Sequence, residues 1–389
     1  MVGVTTVAAP PVAVPSLLVV LPAPPEGSPP PPDTMIAGLP LLRRIVLAAA
    51  RAGFERILVH PRACPEPRLL EGTPATVLAA EPTPGPVARV VVLPANVLPQ
   101  TRWLRGLREM PLDRETLAVD ASVAAALESA VAGELLGAAG KDAGAQDLIL
   151  ALSRRLPRVA QPGDPAGRFA LERAADAKAA EEWLLRSLIK DTEGFMSRHV
   201  ERRVSLAITR RLVTTRITPN AMTLVSLAMG LCGAPFFLAM DPLLQVTGAL
   251  LFLTHSILDG CDGELARLKF LESPTGARLD FWGDNLVHVA VFACMAIGWS
   301  RDADAAWPLL LGALAVTGTA ASAVLVSRQS GTPTAASARL AEAVANRDFI
   351  YLVVLLAAFG RAHWFLVLVA LGTPIFMMLV RWGAGRRTA

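Results

Sequence analysis

Leu258–His288 reads LDGCDGELARLKFLESPTGARLDFWGDNLVH and places four aspartates, Asp259, Asp262, Asp280 and Asp284, inside a strongly apolar half of the chain. Charge at membrane depth is costly, so ionisable groups there are functional candidates by default. Asp259 and Asp262 are three residues apart and Asp280 and Asp284 four apart, so each pair shares one helix face. Two such helices facing each other would bring four carboxylates to one point. Carboxylates that close do not all stay ionised without cations between them. A donor set made only of oxygen suits Mg²⁺ or Mn²⁺ better than zinc.

Outward from that stretch the composition is uneven. The 389 residues are 53% hydrophobic, with a mean hydropathy of +0.46. The long apolar runs begin only after Ala221, whereas the first 165 residues or so are rich in Pro and Ala. The net charge is +4, and the excess sits mostly in Arg near the apolar segments. That pattern fits the positive-inside rule and argues against a nucleic-acid partner. Cys64, Cys232, Cys261 and Cys294 have no C-x-x-C spacing, which excludes a zinc site of that type and a disulfide framework. The first residues lack a basic stretch and are broken by prolines, so no signal peptide is expected and the first domain is assigned to the cytosol.

Ser16–Leu21 reads as a buried strand, Leu39–Ala52 as a helix stopped by Gly53, and Arg56–His60 and Arg89–Leu93 as further strands. Strands alternating with helices predict an α/β sheet with some parallel pairing. From about Asp164 to Arg216 the chain turns helical and basic. There Trp183, Leu184, Leu188 and Ile189 fit one helix face, which predicts either an interfacial amphipathic helix or a solvated linker. About six spans follow, near Ala221–Met240, Leu243–Lys269, Gly276–Trp299, Ala305–Ser327, Asn346–Gly360 and His363–Trp382. Most have the ~20 residues needed to cross hydrocarbon. Arg328, Arg339, Arg347, Arg381, Arg386 and Arg387 fall on the side of the basic linker. That asymmetry puts the aspartates, the first domain and the C-terminus at the cytoplasmic face of a multi-pass inner-membrane protein.

The pattern D-x2-D-G-x2-A-R-x8-G-x3-D-x3-D is filled by Asp259, Asp262, Gly263, Ala266, Arg267, Gly276, Asp280 and Asp284. It resembles the signature of the CDP-alcohol phosphotransferases, integral membrane enzymes. The resemblance implies two Mg²⁺ or Mn²⁺ ions held by Asp259, Asp262 and Asp280. Asp284, one turn further into its helix, is then the expected general base and a possible contact of the second metal. Gly263, Ala266 and Gly276 would leave room for the nucleotide, or serve as small packing residues. Arg267 would hold a phosphate, or snorkel to the interface. Ser273 stands where the family carries a hydroxyl near the nucleotide. Asn220 and Thr223 match the family's P-N-x-x-T start of the first span and are candidate donor contacts; alternatively Thr218 and Pro219 only begin that helix. His255, His288 and Glu264 take plainer readings, the histidines as packing groups and Glu264 as a solvated position. Arg328, Arg347 and Arg381 are either anchors or a pocket for a phosphorylated acceptor.

The run GLPLLRRIVLAAARAGFERILV resembles the early part of sugar-1-phosphate nucleotidyltransferases. Where that family has a glycine-rich phosphate loop this chain has prolines, and VVVLPANVLPQ lacks the family's metal-binding aspartate. The first domain therefore reads as a degenerate member. The segment from Trp183 to Leu212 resembles the junction in fused nucleotidyltransferase–phosphotransferases, some of which act on inositol phosphate. The expected plan is a smaller α/β domain over 1–165, a juxtamembrane linker over 166–217 and an α-helical membrane domain of about six spans over 218–389. The expected activity moves the phosphoryl–alcohol unit of a CDP-alcohol, CDP-diacylglycerol first, onto a polar alcohol in the plane of a lipid bilayer, with release of CMP. Two rivals stand beside it. One is a bifunctional protein whose first domain makes the CDP-alcohol. The other is a divalent-cation transporter, which would need carboxylates spread along a path. The resemblance leaves a homodimer open.

Overall fold

The computed structural model describes residues 15–24, 28–78, 88–120, 124–129, 144–160, 165–189, 194–328 and 349–385. The chain divides into two units that meet between Leu184 and Leu185. Arg339, Arg347, Arg386 and Arg387, the first 14 residues and the segment in which the fifth span was expected to begin lie outside the described residues.

The first unit is built on β1 (Ser16–Leu21), a fully buried apolar run, as expected of a strand covered on both faces. After it come α1 (Leu41–Ala52), β2 (Arg56–Val59), β3 (Ala75–Val77), β4 (Ala88–Pro94), α2 (Thr101–Glu109), β5 (Leu117–Asp120), β6 (Ala124–Ser129), α3 (Ala145–Arg155) and β7 (Arg158–Ala160). The sheet order is β7-β5-β6-β4-β1-β2-β3. Pairing is parallel except where β6 runs antiparallel to both β4 and β5. The sheet is thus α/β with a parallel centre. The α1 helix starts two residues later than the sequence suggests, because Leu39–Pro40 pairs with Met35–Ile36 in a small antiparallel ladder. It ends at Gly53, whose φ of 88° lets its N–H reach back to the last carbonyls. Arg44 is buried on α1 and donates to the carbonyls of Ile36 and Ala37. Burial pushes its guanidinium down to about 10, against the opposing pull of Glu181. Arg168 grips Asp120 with two hydrogen bonds of 2.8 and 2.9 Å, which raise its pKa further.

The stretch read as one amphipathic segment is two helices. The first, α4 (Asp176–Arg186), ends before Leu188 and Ile189, and its Trp183 ring packs against Phe169 at 5.8 Å. The second, α5 (Arg202–Leu212), follows a wide turn at Ser197–Glu201.

The second unit is helical: α6 (Pro219–Gly233), α7 (Pro242–Lys269), α8 (Pro274–Asp302), α9 (Trp307–Arg328), α10 (Phe349–Ala358) and α11 (Trp364–Gly385). Among the described residues four helical segments are long and apolar enough to cross a membrane: Pro219–Leu238, Pro242–Lys269, Pro274–Asp302 and Trp307–Arg328. Phe349–Ala358 and Trp364–Thr373 are shorter apolar stretches. Pro235 cannot donate to an α-helical ladder, and the first span finishes as a tighter helix over Ala234–Leu238. Three of these helices begin alike. Thr218, Asp241 and Ser273 accept from a backbone N–H three residues on, and Pro219, Pro242 and Pro274 follow them. Capping oxygen then proline is the favoured chemistry for a helix start. The helices close tightly where side chains vanish: a Cβ on Gly230 would lie 2.6 Å from Val287 Cγ1 and 3.0 Å from His255 Cγ. This wedges α6, α7 and α8 together at the depth of the aspartates.

Candidate active site

The packing of α7 against α8 brings three of the four aspartates to one point. Ligand oxygens of Asp259, Asp280 and Asp284 lie within 4.8 Å of one another. Asp259 is buried, and Asp284 keeps 21% of its side-chain surface exposed. Asp262, expected in the same cluster, lines the cavity beside the trio together with Asp280. One turn along α7, it accepts a hydrogen bond from the Thr223 hydroxyl of α6. The spacing that puts Asp259 and Asp262 on one face still separates them by about 60° around the axis, and that offset turns Asp262 toward α6.

The trio has the character of a cation site. All its donors are carboxylate oxygens, the choice of hard divalent ions. Asp280 Oδ1 is buried and has no hydrogen-bond partner among the described residues. A buried acceptor without a donor is costly, and a cation would satisfy it.

Beside the trio opens a cavity of about 260 Å³. Asn220, Thr223, Asp262, Gly263, Ala266, Arg267, Ser273, Gly276 and Asp280 all line it, with Pro219, Leu271, Glu272 and Ala277. Every candidate nucleotide-contact residue therefore lines this one cavity, from α6, α7 and α8, and Asp280 belongs to both the cavity and the trio. The two glycines differ. A Cβ at Gly263 would meet nothing closer than the Arg267 guanidinium at 4.0 Å, so that position keeps the cavity open. A Cβ at Gly276 would lie 2.9 Å from Asn220 Oδ1, so Gly276 makes room for Asn220. Ser273 caps α8 with its hydroxyl 3.0 Å from the N–H of Gly276.

Two residues gain weight that the sequence alone did not give them. His255 is buried; its Nδ1 lies 2.9 Å from the Ser226 carbonyl and its Nε2 3.4 Å from Asp284 Oδ1. A packing histidine was expected, and it does sit against the Phe252 ring, but it also touches the trio. Glu264 is the correction: it is fully buried, not solvated. Arg202, Ser205 and Thr209 of α5 donate to it at 2.8, 2.7 and 2.6 Å. The signal was available in the same rule that singled out the aspartates, since a carboxylate in an apolar helix needs partners. His288 packs on Phe252, Phe292 and Phe349. Of the arginines considered for an acceptor pocket, Arg328 ends α9 and is exposed, and Arg347 lies outside the described residues.

Residues 216–376 match the family model described as CDP-alcohol phosphatidyltransferase. Among curated relatives, the "Bifunctional IPC transferase and DIPP synthase" of Thermococcus kodakarensis is 36% identical over 134 residues, 34% of this chain and 30% of the relative. The protein of the same name from Rubrobacter xylanophilus is 38% identical over 150 residues, 38% of this chain and 33% of the relative. A "CDP-diacylglycerol--serine O-phosphatidyltransferase" of Mycobacterium tuberculosis is 31% identical over 99 residues, 23% of this chain and 34% of the relative. The chain spans about a third of the length of the curated relatives it matches.

Proposed function

We propose that the protein is an integral membrane CDP-alcohol phosphotransferase of phospholipid synthesis, and that the cavity takes the donor's cytidine diphosphate. The carrying observation is the junction of the Asp259–Asp280–Asp284 trio with that cavity. Two Mg²⁺ or Mn²⁺ ions, held by Asp259, Asp262 and Asp280 with Asp284 beside the second, would offset charge on the diphosphate as the bond to CMP breaks. The chain's own groups do the rest. Arg267 reaches a phosphate from the cavity wall, and Asn220 and Thr223 hold the donor from α6. Gly263 and Ala266 leave space for it against α7. Asp284 accepts the proton of the attacking hydroxyl. The hydroxyl oxygen bonds to the phosphorus that carries the alcohol, the P–O–P bridge breaks, and CMP departs with the bridging oxygen. Direct displacement, without a covalent enzyme intermediate, is the simplest course for this transfer.

The donor is proposed to be CDP-diacylglycerol and the acceptor an inositol phosphate or similar polar alcohol, on the resemblance of the junction segment. Six spans would carry both termini and the site on the cytoplasmic side, consistent with exposed Arg203, Arg210 and Arg211 on α5. Residues 1–165 are proposed as a degenerate nucleotidyltransferase-like domain, 166–217 as a juxtamembrane linker and 218–389 as the transferase domain. A second reading, in which the first domain makes the CDP-alcohol used next door, draws support from relatives named as bifunctional.

Purified protein given radiolabelled CDP-diacylglycerol, Mg²⁺ and a panel of alcohols should release CMP only when its acceptor is present. No CMP release with any panel member or any CDP-alcohol donor would overturn the proposal. CTP-dependent pyrophosphate release by the same protein with an alcohol phosphate would establish the bifunctional reading.

A further inference from the structure

The back of α7, away from the cavity, is held by a polar device in an apolar setting. Arg202, Ser205 and Thr209 stand at i, i+3 and i+7 on α5, one stripe of a helix. All three donate to the carboxylate of Glu264, whose side chain is 0% exposed. Glu264 follows Asp262 by two residues, roughly 200° around the helix, so it faces away from the site. Gly260 lets α5 approach: a Cβ there would lie 3.1 Å from Arg202 Nη1 and 3.7 Å from Ser205 Cβ. The segments that flank α5 are tied to α7 as well. The Ser256 hydroxyl donates to Glu201 Oε2 at 3.4 Å, and the Lys269 ammonium donates to the carbonyls of Thr215 and Ile217 at 2.8 Å each.

A buried ion pair seldom stabilises more than apolar side chains of the same size would; its attested use is to fix register. Here the register in question is that of Asp259 and Asp262. On the cavity side Thr223 holds Asp262; on the opposite side α5 holds Glu264. We propose that Glu264 is a positioning residue for the transfer reaction. Its attachment to Arg202, Ser205 and Thr209 fixes the rotation of α7 and so aims Asp259 and Asp262 at the carboxylates of α8. The proposal rests on the reading of those aspartates as the cation site.

The test uses the full-length protein and compares Glu264→Gln, Thr209→Val and Thr209→Ser. Thr209→Val keeps the shape and loses the donated hydrogen bond, whereas Thr209→Ser keeps both hydroxyl and bond. For Glu264→Gln the expected result is kcat lowered about tenfold or more, since small misplacements of reacting groups cost rate steeply. Half-saturating Mg²⁺ should rise several-fold, with the donor KM nearly unchanged. Thr209→Val should shift in the same direction by less, and Thr209→Ser should match wild type. Mn²⁺ binding without substrate, read by electron paramagnetic resonance, should weaken in parallel. A folded Glu264→Gln with wild-type kcat and a wild-type Mg²⁺ curve would overturn the proposal. If Glu264→Gln fails to fold, a folded Thr209→Val with unchanged Mg²⁺ dependence overturns it instead. Wild-type protein that neither releases CMP nor binds Mn²⁺ would strike the underlying site reading, a result distinct from either of these.

Discussion

Asp280→Asn removes one negative charge from the trio and leaves size and one oxygen in place. The ligand atoms of the three aspartates lie within 4.8 Å of one another. Atoms so spaced share a centre no more than about 2.8 Å from each, against roughly 2.1 Å for a magnesium–oxygen bond, so a sub-ångström closure completes the site. A unit charge about 2.8 Å from a divalent cation is attracted by about 3 kcal/mol even at the dielectric of bulk water, and by more where water is excluded. That energy is roughly a hundredfold in affinity. Half-saturating Mg²⁺ for CMP release should therefore rise by about that factor in the variant, with residual activity recovered at high Mg²⁺. The measurement is a Mg²⁺ titration of CMP release on full-length protein whose melting temperature shows it folded. A folded Asp280→Asn whose half-saturating Mg²⁺ stays near the wild-type value would refute the assignment of the trio as the cation site.

Asp284→Asn should abolish turnover and leave nucleotide binding largely intact, measured by CDP titration; a loss of affinity as large as that of Asp259→Asn would contradict its role as base. Gly230→Ala forces a methyl to within 2.6 Å of Val287 Cγ1; overpacking of this kind costs about 1–3 kcal/mol, and Val287→Ala in the same chain should recover part of the lost thermal stability. Gly263→Val fills the cavity without touching the trio and should raise the donor KM far more than it shifts the Mg²⁺ dependence. In the first unit, Asp120→Asn leaves Arg168 without its charged partner, and a cost of about 3–5 kcal/mol should appear as early unfolding of that unit in calorimetry.

The acidic pattern was legible because two unrelated constraints, helical spacing and the cost of charge in an apolar helix, point at the same residues. The start of α6 was legible for a similar reason, since Thr218-Pro219 is local chemistry that needs no tertiary context; Asp241-Pro242 and Ser273-Pro274 carry the same chemistry and start α7 and α8 one and two residues earlier than expected. What escaped was whatever depends on a neighbour distant in sequence. Glu264 looks solvated until α5, more than fifty residues earlier, supplies three donors. His255 looks like packing until α8 brings Asp284 to it. Asp262 shares a face with Asp259, and its hydrogen bond from the Thr223 hydroxyl appears only once α6 is packed beside α7. In the first unit the apolar runs of β1, β2 and β4 were plain, but the short antiparallel strand β6 (AAALES) carries no strand signature and takes its place through pairing with β4 and β5 and through Leu127 in the core beside α3.

The depth of the aspartates constrains how a lipid donor would enter. α7 continues for seven residues past Asp262, to Lys269, and α8 begins six residues before Asp280, at Pro274. At 1.5 Å per residue the carboxylates are set back from the connecting turn by roughly 10 Å. The cavity occupies that setback, since Leu271, Glu272 and Ser273 of the turn line it. On the proposed reading, a cytidine diphosphate with its diphosphate at the trio would have its base toward the turn. The alcohol it carries must then leave past the trio, toward the apolar body of the bundle. A donor whose alcohol bears long acyl chains suits that exit, because the chains stay in lipid while the diphosphate reaches the carboxylates. A short polar alcohol on the donor would have to place its hydroxyls against that apolar surface, at a cost for each unpaired group. CDP-diacylglycerol should therefore be turned over with a higher kcat/KM than a CDP-alcohol of small polar headgroup. The reverse order would place the lipid on the acceptor side.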